Sequence, residues 1–273
     1  MQKKSIIILS LLVISCFTAS YTSVTAISGE LLDFTFSDKI SVGSELSWQL
    51  TKFDVSPVSE IESFEWKVTT GHALQEGDLF KIIITTDPDT LNLTDFAEIF
   101  YTNLEWAEFY INDDLLTTNA TDVSWGGFGE SNLITLYILP VTIESSIGGV
   151  ENTFEALNEE FESFEYSDSS GKYEVTLNDN SFVIKAEKHA SGSFAFGGSF
   201  SYDSYVEIAY DTNWGILSKL DIESKMKEGS VSTSAHWVLE STVEGVIIPA
   251  PFNLFYGMIG ILILGLAYVA KRK

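Results

Sequence analysis

The chain has little cysteine and little positive charge for its length of 273 residues. Cys16 is the single cysteine, so the chain after it has no disulfide available, even in an oxidising compartment. Packing of a core must therefore supply the stability. The hydrophobic share of 45% and the 19 Phe, 11 Tyr and 6 Trp favour a folded, β-rich domain over a disordered one.

Basic residues are scarce outside the two ends of the chain. Five of the 15 Lys and Arg lie within the terminal segments, which leaves 10 basic against 39 acidic residues and a formal charge of −29 for the rest. Such a surface repels phosphate backbones, so nucleic acid is excluded as a partner. Solubility explains this acidity better than capture of divalent cations does.

Motifs of known catalytic mechanism are missing as well. The sequence has no Gly-x-Ser-x-Gly elbow, no phosphate-binding Gly-Lys-Ser/Thr loop and no Gly-x-Gly-x-x-Gly. Its three histidines, His72, His189 and His236, lie far apart, and none has a second histidine at metal-ligand spacing. We therefore predict a protein that is not an enzyme, with no catalytic or cofactor-binding residue.

The N-terminus carries the pattern of a secretory signal. Lys3 and Lys4 precede an apolar stretch over residues 5–17 that is too short to span a bilayer, and a small-residue site follows at 24–26. Cleavage after Ala26 is the preferred prediction. The alternative is a lipobox at 13–16, which would make Cys16 a lipidated N-terminus.

The C-terminus carries the pattern of a membrane anchor. Residues 252–270 are almost wholly apolar, about the length of one bilayer crossing, and the basic triplet 271–273 follows them. The positive-inside bias places that triplet in the cytoplasm and the preceding chain outside. The predicted organisation is a signal peptide (1–26), an extracellular β-rich domain (27–245), a transmembrane anchor (246–270) and a cytoplasmic tail (271–273).

Alternation of apolar and polar residues runs through most of the predicted extracellular domain. It predicts strands around Leu46–Leu50, Phe64–Val68, Tyr173–Ala186, Val206–Tyr210, Ile216–Ile222 and Ala235–Leu239, with a hairpin turn at 178–180. Two more continuously apolar runs, 79–85 and 133–139, predict central strands that are covered on both faces. The fold class is therefore mainly β, an antiparallel sheet forming a meander or an open half-barrel.

One stretch follows a helical period instead. Val150, Phe154, Leu157, Phe161 and Phe164 recur at spacings of four and three, with glutamates on the remaining faces. This predicts one amphipathic helix over about 149–166, packed on the sheet. The helix could also divide the domain into subdomains 27–145 and 146–245.

Two kinds of surface site have candidates in the loops. Asp87, Asp89 and Asp95 supply oxygen ligands of the kind that calcium prefers, although the run lacks the Gly and closing Glu of an EF-hand, and a polar strand connection is the alternative. Asn92 and Asn119 begin glycosylation sequons that the predicted topology places outside.

Several short segments carry a resemblance to a known family. Residues 248–251 lead into the apolar helix and the basic triplet, and residues 42–48, 75–81 and 210–217 (VGSELSW, QEGDLFK and YDTNWGIL) lie in the domain before it. Together they resemble archaeal surface proteins of the choice-of-anchor S family. That resemblance implies display at the cell surface and no particular activity.

The sequence thus favours a non-catalytic, membrane-anchored surface protein with a structural, adhesive or binding domain. The main alternative is a carrier or receptor for an apolar ligand such as a lipid, because a meander can curl around a helix and residues 194–202 hold four aromatics. Glycan binding through exposed Trp and Tyr is a third hypothesis. The expected partners are the membrane and an unidentified surface protein, glycan or lipid.

Overall fold

A computed structural model describes residues 32–56, 74–90, 107–117, 137–145, 149–193, 199–228 and 230–246. In that part of the chain there are thirteen strands, one α-helix and a short 3-10 turn at Pro88–Thr90. The strands are β1 Leu32–Thr35, β2 Glu45–Ser56, β3 Leu79–Ile84, β4 Ala107–Ile111, β5 Asp114–Thr117, β6 Thr142–Ser145, β7 Gly149–Asn152, β8 Tyr166–Asp168, β9 Gly171–Asn178, β10 Ser181–Ser193, β11 Ser199–Asp211, β12 Ile216–Glu228 and β13 Val231–Ser241, and the helix is α1 Thr153–Glu162.

Ten of these strands form one antiparallel sheet in the order β5-β4-β3-β2-β13-β12-β11-β10-β9-β8. Two meanders make it: β8 to β13 follow one another in space as in sequence, and so do β2 to β5. The pairing of β2 with β13 joins them, so strands from before and after α1 share one sheet. A second sheet has the order β1-β6-β7. The predicted class, mainly β and antiparallel with a helix packed on the sheet, is confirmed for the described residues.

The tight turns explain several of the strand boundaries. The β9–β10 hairpin closes through the two residues 179–180, as the sequence predicts. The β4–β5 hairpin closes through Asn112 and Asp113, both at positive φ (48° and 71°), which matches the twist of the flanking strands. At the β11–β12 turn, the Asp211 carboxylate accepts hydrogen bonds from the backbone N–H groups of Asn213 and Trp214.

Gly215 ends the β11–β12 turn at a φ of 68°. Its carbonyl accepts a 2.6 Å hydrogen bond from the backbone N–H of Leu139, and a Cβ at position 215 would lie 2.3 Å from the Leu139 carbonyl oxygen. Glycine is therefore required both for its backbone conformation and for the close approach of the 137–139 segment.

The helix begins where a side chain caps it. The Oδ1 atom of Asn152 accepts hydrogen bonds from the N–H groups of Phe154 (2.9 Å) and Glu155 (3.2 Å), which fixes Asn152 as the N-cap. Phe154, Leu157 and Phe161 are buried, at 0%, 4% and 5% exposure, as predicted.

Two members of the predicted helical stripe are not part of it. Residues 149–152 pair with β6 as strand β7, which leaves Val150 64% exposed, and Phe164 lies beyond the helix end at 50% exposure. The prediction of a helix over 149–166 was therefore too long at both ends, because strand pairing and the Asn152 cap override the hydrophobic period there.

The two predicted central strands also need correction. β3 alternates between buried and half-buried residues, so one of its faces is only partly covered. Within 133–139, residues 137–139 are described; they are buried, but they form no strand, and Ile138 makes a single bridge to Ile216. The predicted strand over 64–68 lies outside the described residues.

The predicted membrane anchor also lies outside the described residues, as does the predicted signal segment. In the ranges that the structure does describe, there is no helix of the length and apolarity that a bilayer crossing requires.

Candidate functional site

One face of the ten-stranded sheet, here called the core face, packs against α1. The Phe154 ring lies 5.8 Å from the Phe182 ring and 6.0 Å from the Tyr210 ring, measured between centroids, and the Phe161 ring stacks 6.4 Å from Phe182. Trp48 is fully buried on this face, and its Nε1–H donates a 2.6 Å hydrogen bond to the Leu217 carbonyl. This end of the core face is aromatic and closed.

The core face changes character along the strands, away from α1. Two successive rows of cross-strand neighbours are apolar: Ile184, Ile208, Leu220 and Leu239, followed by Ala186, Val206, Ile222 and Trp237. The next row in register consists of Lys188, Ser204, Ser224 and Ala235. We call Lys188, Tyr202 and Ser204 the polar end of the core face, because strand alternation places all three on the face that carries the apolar rows.

The two hydroxyls of the polar end are buried with no partner beyond each other. Tyr202 and Ser204 are both 0% exposed, and among the described residues neither Tyr202 Oη nor Ser204 Oγ has a hydrogen-bond acceptor outside the pair. Burial raises the pKa of Tyr202 strongly, which the Ser204 hydroxyl beside it offsets only in part, so the Tyr202 hydroxyl stays protonated. An unsatisfied buried hydroxyl costs about 1–3 kcal/mol, so the pair lowers the stability of the fold unless a further group binds it.

Lys188 stands directly across from Ser204 in the β10–β11 register and is 4% exposed. Its charge contributes to the lowered pKa of Asp168, whose main cause is the hydrogen bond from the Ser170 hydroxyl. On the other side Lys188 pairs with Gly171, where a Cβ would lie 2.0 Å from the Glu187 carbonyl oxygen. A buried cation thus lies beside two buried donors.

The opposite face of the sheet, here called the outer face, holds a network of ion pairs centred on Glu207. Glu207 is 0% exposed; its Oε2 accepts from the Tyr205 hydroxyl at 2.5 Å and from Lys219 Nζ at 3.1 Å, and its Oε1 lies 3.5 Å from Lys185 Nζ. Burial and the bond to Glu207 both raise the pKa of Tyr205. Oε2 is therefore hydrogen-bonded to one hydroxyl and one ammonium group, whereas Oε1 makes no hydrogen bond and only the ion pair with Lys185.

Asp221 extends the network toward β13. Its Oδ2 lies 3.1 Å from Lys219 Nζ, and its Oδ1 lies 3.2 Å from His236 Nε2. Burial favours the neutral form of Asp221, but the His236 contact and Lys219 outweigh it and hold the pKa below its usual value. Burial likewise opposes the charge on Lys219, but Asp221 and Glu207 outweigh burial and raise the pKa of Lys219. Because its folded pKa lies above the unfolded value of about 10.4, the stabilising contribution of Lys219 is complete below that pH and is lost as the pH rises through the folded pKa.

The lowered pKa of Asp221 gives a pH dependence with a definite sign. Because its folded pKa lies below the unfolded value of about 3.9, its stabilising contribution is complete above that pH and is lost as the pH falls through the folded pKa. We expect Asp221→Asn to be less stable than the wild type by about 1.5–3 kcal/mol at pH 6–7. In urea titrations this gap should close below about pH 4; a gap that persists at pH 2–3 would contradict the assignment.

Two tyrosines of β11 should respond in opposite ways to loss of the hydroxyl. Tyr202→Phe removes an unsatisfied buried group and should leave the free energy of unfolding unchanged within about 0.5 kcal/mol or raise it. Tyr205→Phe removes a donor to a buried carboxylate and should cost about 1.5–3 kcal/mol. Urea midpoints of the two variants compare them directly; an equal loss would mean that Tyr202 has a partner.

The calcium candidates are placed only in part. Asp89 Oδ1 accepts a 2.8 Å hydrogen bond from the backbone N–H of Phe36, Asp87 Oδ1 accepts one from the N–H of Asp89, and Asp95 lies outside the described residues. No group of three metal-capable side chains occurs in the described ranges. Calcium binding stays a prediction, and so does glycosylation, since both Asn92 and Asn119 lie outside the described residues.

Each of the described histidines makes a hydrogen bond to an aspartate. His189 Nδ1 lies 2.8 Å from Asp203 Oδ1, and His236 contacts Asp221. His72 lies outside the described residues, as do Phe194 and Phe196 of the aromatic group noted in the sequence.

Sequence reasoning missed the polar end and the Glu207 network. The alternation along β10 could have placed Lys188 at the polar end. Lys188 continues the even-numbered series of Phe182, Ile184 and Ala186 and therefore belongs to the core face. Glu207 gave no such signal. Its two lysine partners come from the neighbouring strands β10 and β12, and only the register brings them to Glu207.

The resemblance to the choice-of-anchor S family stays a prediction, and the case for a function depends on the geometry of the described residues. Comparisons of the chain with known protein families, with curated proteins and with solved structures found no match.

Proposed function

We propose that this protein is a non-catalytic, membrane-anchored surface protein whose β-rich domain binds a small ligand with an apolar body. The proposal combines the terminal segments of the sequence with the core face of the sheet. It joins the two functional hypotheses that the sequence favours, surface display and binding of an apolar ligand.

One observation carries the binding part: the buried hydroxyls of Tyr202 and Ser204 at the polar end of the core face have no partner beyond each other. Buried polar groups in native proteins are almost always hydrogen-bonded, and exceptions are explained by function or by a bound molecule. The neighbouring rows are apolar, so a molecule that reached these hydroxyls would lay the rest of its body along Ile222 and Trp237.

A carrier of this kind needs no catalytic group, and the surroundings of the hydroxyls fit that role. Ser204 has no hydrogen-bonded base, which nucleophilic activation of a serine requires. His189 and His236 lie on the outer face, because they alternate with the core-face residues of β10 and β13, and each of them contacts an aspartate. The polar end is therefore better suited to recognition than to hydrolysis.

Native mass spectrometry of the full-length protein in a non-ionic detergent tests the binding proposal. We expect the folded protein to carry an additional bound mass that is absent after denaturation in urea. Extraction with organic solvent should then yield an amphipathic molecule. If the folded protein shows only its own mass, and if it takes up no fatty acid or fatty alcohol when these are added, the proposal is wrong.

The display part predicts the result of a protease experiment on intact cells. The basic triplet 271–273 behind the apolar segment places the β-rich domain outside. Added protease should digest an epitope inserted between β12 and β13, whereas a tag after Lys273 should stay protected until the cells are permeabilised. Digestion of the C-terminal tag in intact cells would contradict the orientation.

A further inference from the structure

We infer that the polar end of the core face recognises an anionic, oxygen-bearing head group, so that the ligand is a single-chain amphiphile with a carboxylate or phosphate at one end. This inference rests on the proposed function and specifies the chemistry of its ligand. Three features carry it: two buried hydroxyls with no acceptor beyond each other, a buried cation beside them, and apolar rows leading away from them.

The donors have the right number and spacing for one head group. Ser204 and Tyr202 are two residues apart on β11, which separates their Cα atoms by about 6.5–7 Å along one face of the strand. The long tyrosine side chain can bring its hydroxyl to a group held by Ser204. A carboxylate has two oxygens with about four acceptor sites, enough for two hydroxyls and an ammonium.

The charge of Lys188 selects an anion over a neutral head group. Lys188 lies directly opposite Ser204, and side chains at opposed positions have Cβ atoms about 4.5–5.5 Å apart. Hydrogen bonds to an ionised acceptor are roughly twice as strong as bonds between neutral groups. The interactions that Lys188 already makes within the chain do not remove this preference, because an ammonium has three donors to share.

The apolar rows fix the direction of the tail. From the polar end, the core face continues through Val206 and Ile222 and then through Ile208 and Leu220 toward the aromatic end under α1. In the opposite direction the Phe200 ring lies over Gly192, where a Cβ would be 2.8 Å from Phe200 Cε1. A tail that starts at Ser204 would therefore lie among the buried apolar side chains on the α1 side.

Equilibrium binding to the full-length protein in nanodiscs of neutral phosphatidylcholine tests the inference, with empty nanodiscs to subtract partitioning. The probes are radiolabelled dodecanoate, dodecyl phosphate, dodecanol and acetate. We expect the two anionic amphiphiles to bind at least tenfold more tightly than dodecanol, and acetate not to bind detectably. The relative affinities of dodecanoate and dodecyl phosphate distinguish the two kinds of anionic head.

The informative variant is Tyr202→Phe combined with Ser204→Ala. It should lower the preference for dodecanoate over dodecanol to less than threefold while leaving dodecanol affinity unchanged. Because it deletes both hydroxyls of the pair and these have no other partner, it leaves no buried group newly unpaired and should fold at least as stably as the wild type. The control, Ser201→Ala with Tyr205→Phe, makes the same two chemical changes on the outer face of β11. It should be less stable than the wild type because Glu207 loses the Tyr205 hydroxyl, but under conditions where it is folded it should keep the wild-type preference.

The possible failures are distinguishable. Equal binding of dodecanoate and dodecanol by the wild type would overturn the inference about the head group and leave the proposed function standing. A preference that survives in the double variant would mean that the anion binds elsewhere, which also overturns it. If no amphiphile binds above the empty nanodiscs, the hydroxyls hold internal water only, and both the inference and the proposed function fail.

Discussion

Replacing Glu207 with alanine should lower the free energy of unfolding by about 3–5 kcal/mol, because it leaves buried charges without their counterion. Glu207 is wholly buried between Lys185 and Lys219, and it accepts the hydroxyl of Tyr205. Removing the carboxylate takes the shared acceptor from all three groups at once. Urea unfolding followed by tryptophan fluorescence would measure the loss.

Glu174→Ala is the matched control for Glu207→Ala. Glu174 pairs with Lys185 in the β9–β10 register and forms an ion pair with Lys172, but its side chain is 41% exposed. Exposed ion pairs contribute about 0–1 kcal/mol, so this variant should be nearly as stable as the wild type. If the two variants lose the same amount, the outer-face network does not depend on burial, and our account of it is wrong.

Glu207→Gln separates charge from shape at this position. Glutamine can still accept the Tyr205 hydroxyl, but it carries no charge to balance the two lysines. We expect most of the destabilisation of Glu207→Ala to remain in this variant. Near-complete recovery by glutamine would show that the hydrogen bond, and not the ion pairs, provides the stability.

The strands were predictable from sequence wherever one face is apolar and the other polar. Alternation gave β2, the β9–β10 hairpin and the run from β11 to β13, since half-buried strands repeat every two residues. Continuous apolar runs were less informative. Residues 137–139 are as buried as a central strand, yet they pair with β12 at one residue only. A continuous apolar run predicts burial, but it does not distinguish a buried strand from a buried segment of another conformation.

The ends of α1 could not be predicted from hydrophobic spacing alone. Phe154, Leu157 and Phe161 are buried as their spacing predicts. Val150 continues the same spacing toward the N-terminus, but it lies in strand β7 and not in the helix. Pairing of β7 with β6 and the cap by Asn152 decide the boundary. Neither contact is visible in a count of apolar residues, although Asn before a helical run is a known start signal.

The candidate site was the least predictable feature, because it depends on register between strands distant in sequence. Lys188 and Ser204 are neighbours only once β10 and β11 are aligned, and Glu207 meets Lys219 only through the β11–β12 pairing. A shift by one residue would move every side chain of a strand to the opposite face. The alignment of apolar rows on the core face therefore also positions the polar end and the outer-face network.

The packing of α1 on the sheet predicts a second large loss of stability, in the variant Phe161→Ala. Phe161→Ala should lower the free energy of unfolding by about 3–5 kcal/mol, a large part of the net stability of a typical domain. Phe161 is 5% exposed, and its ring stacks on Phe182, which in turn contacts Phe154. Truncation to alanine removes the ring at the end of this aromatic group and leaves a cavity that the rigid sheet cannot fill.

Glu159→Ala is the control on the exposed side of the same helix. Glu159 faces solvent two residues before Phe161, and alanine has the higher helix propensity, so the variant should be within about 0.5 kcal/mol of the wild type. Urea midpoints at neutral pH compare the two. Equal shifts, or a silent Phe161→Ala, would mean that α1 does not stabilise the domain by packing on the sheet. The apolar side of α1 would then be available to a lipid surface or a partner, and the closed aromatic end that directs the ligand tail in our proposal would be lost.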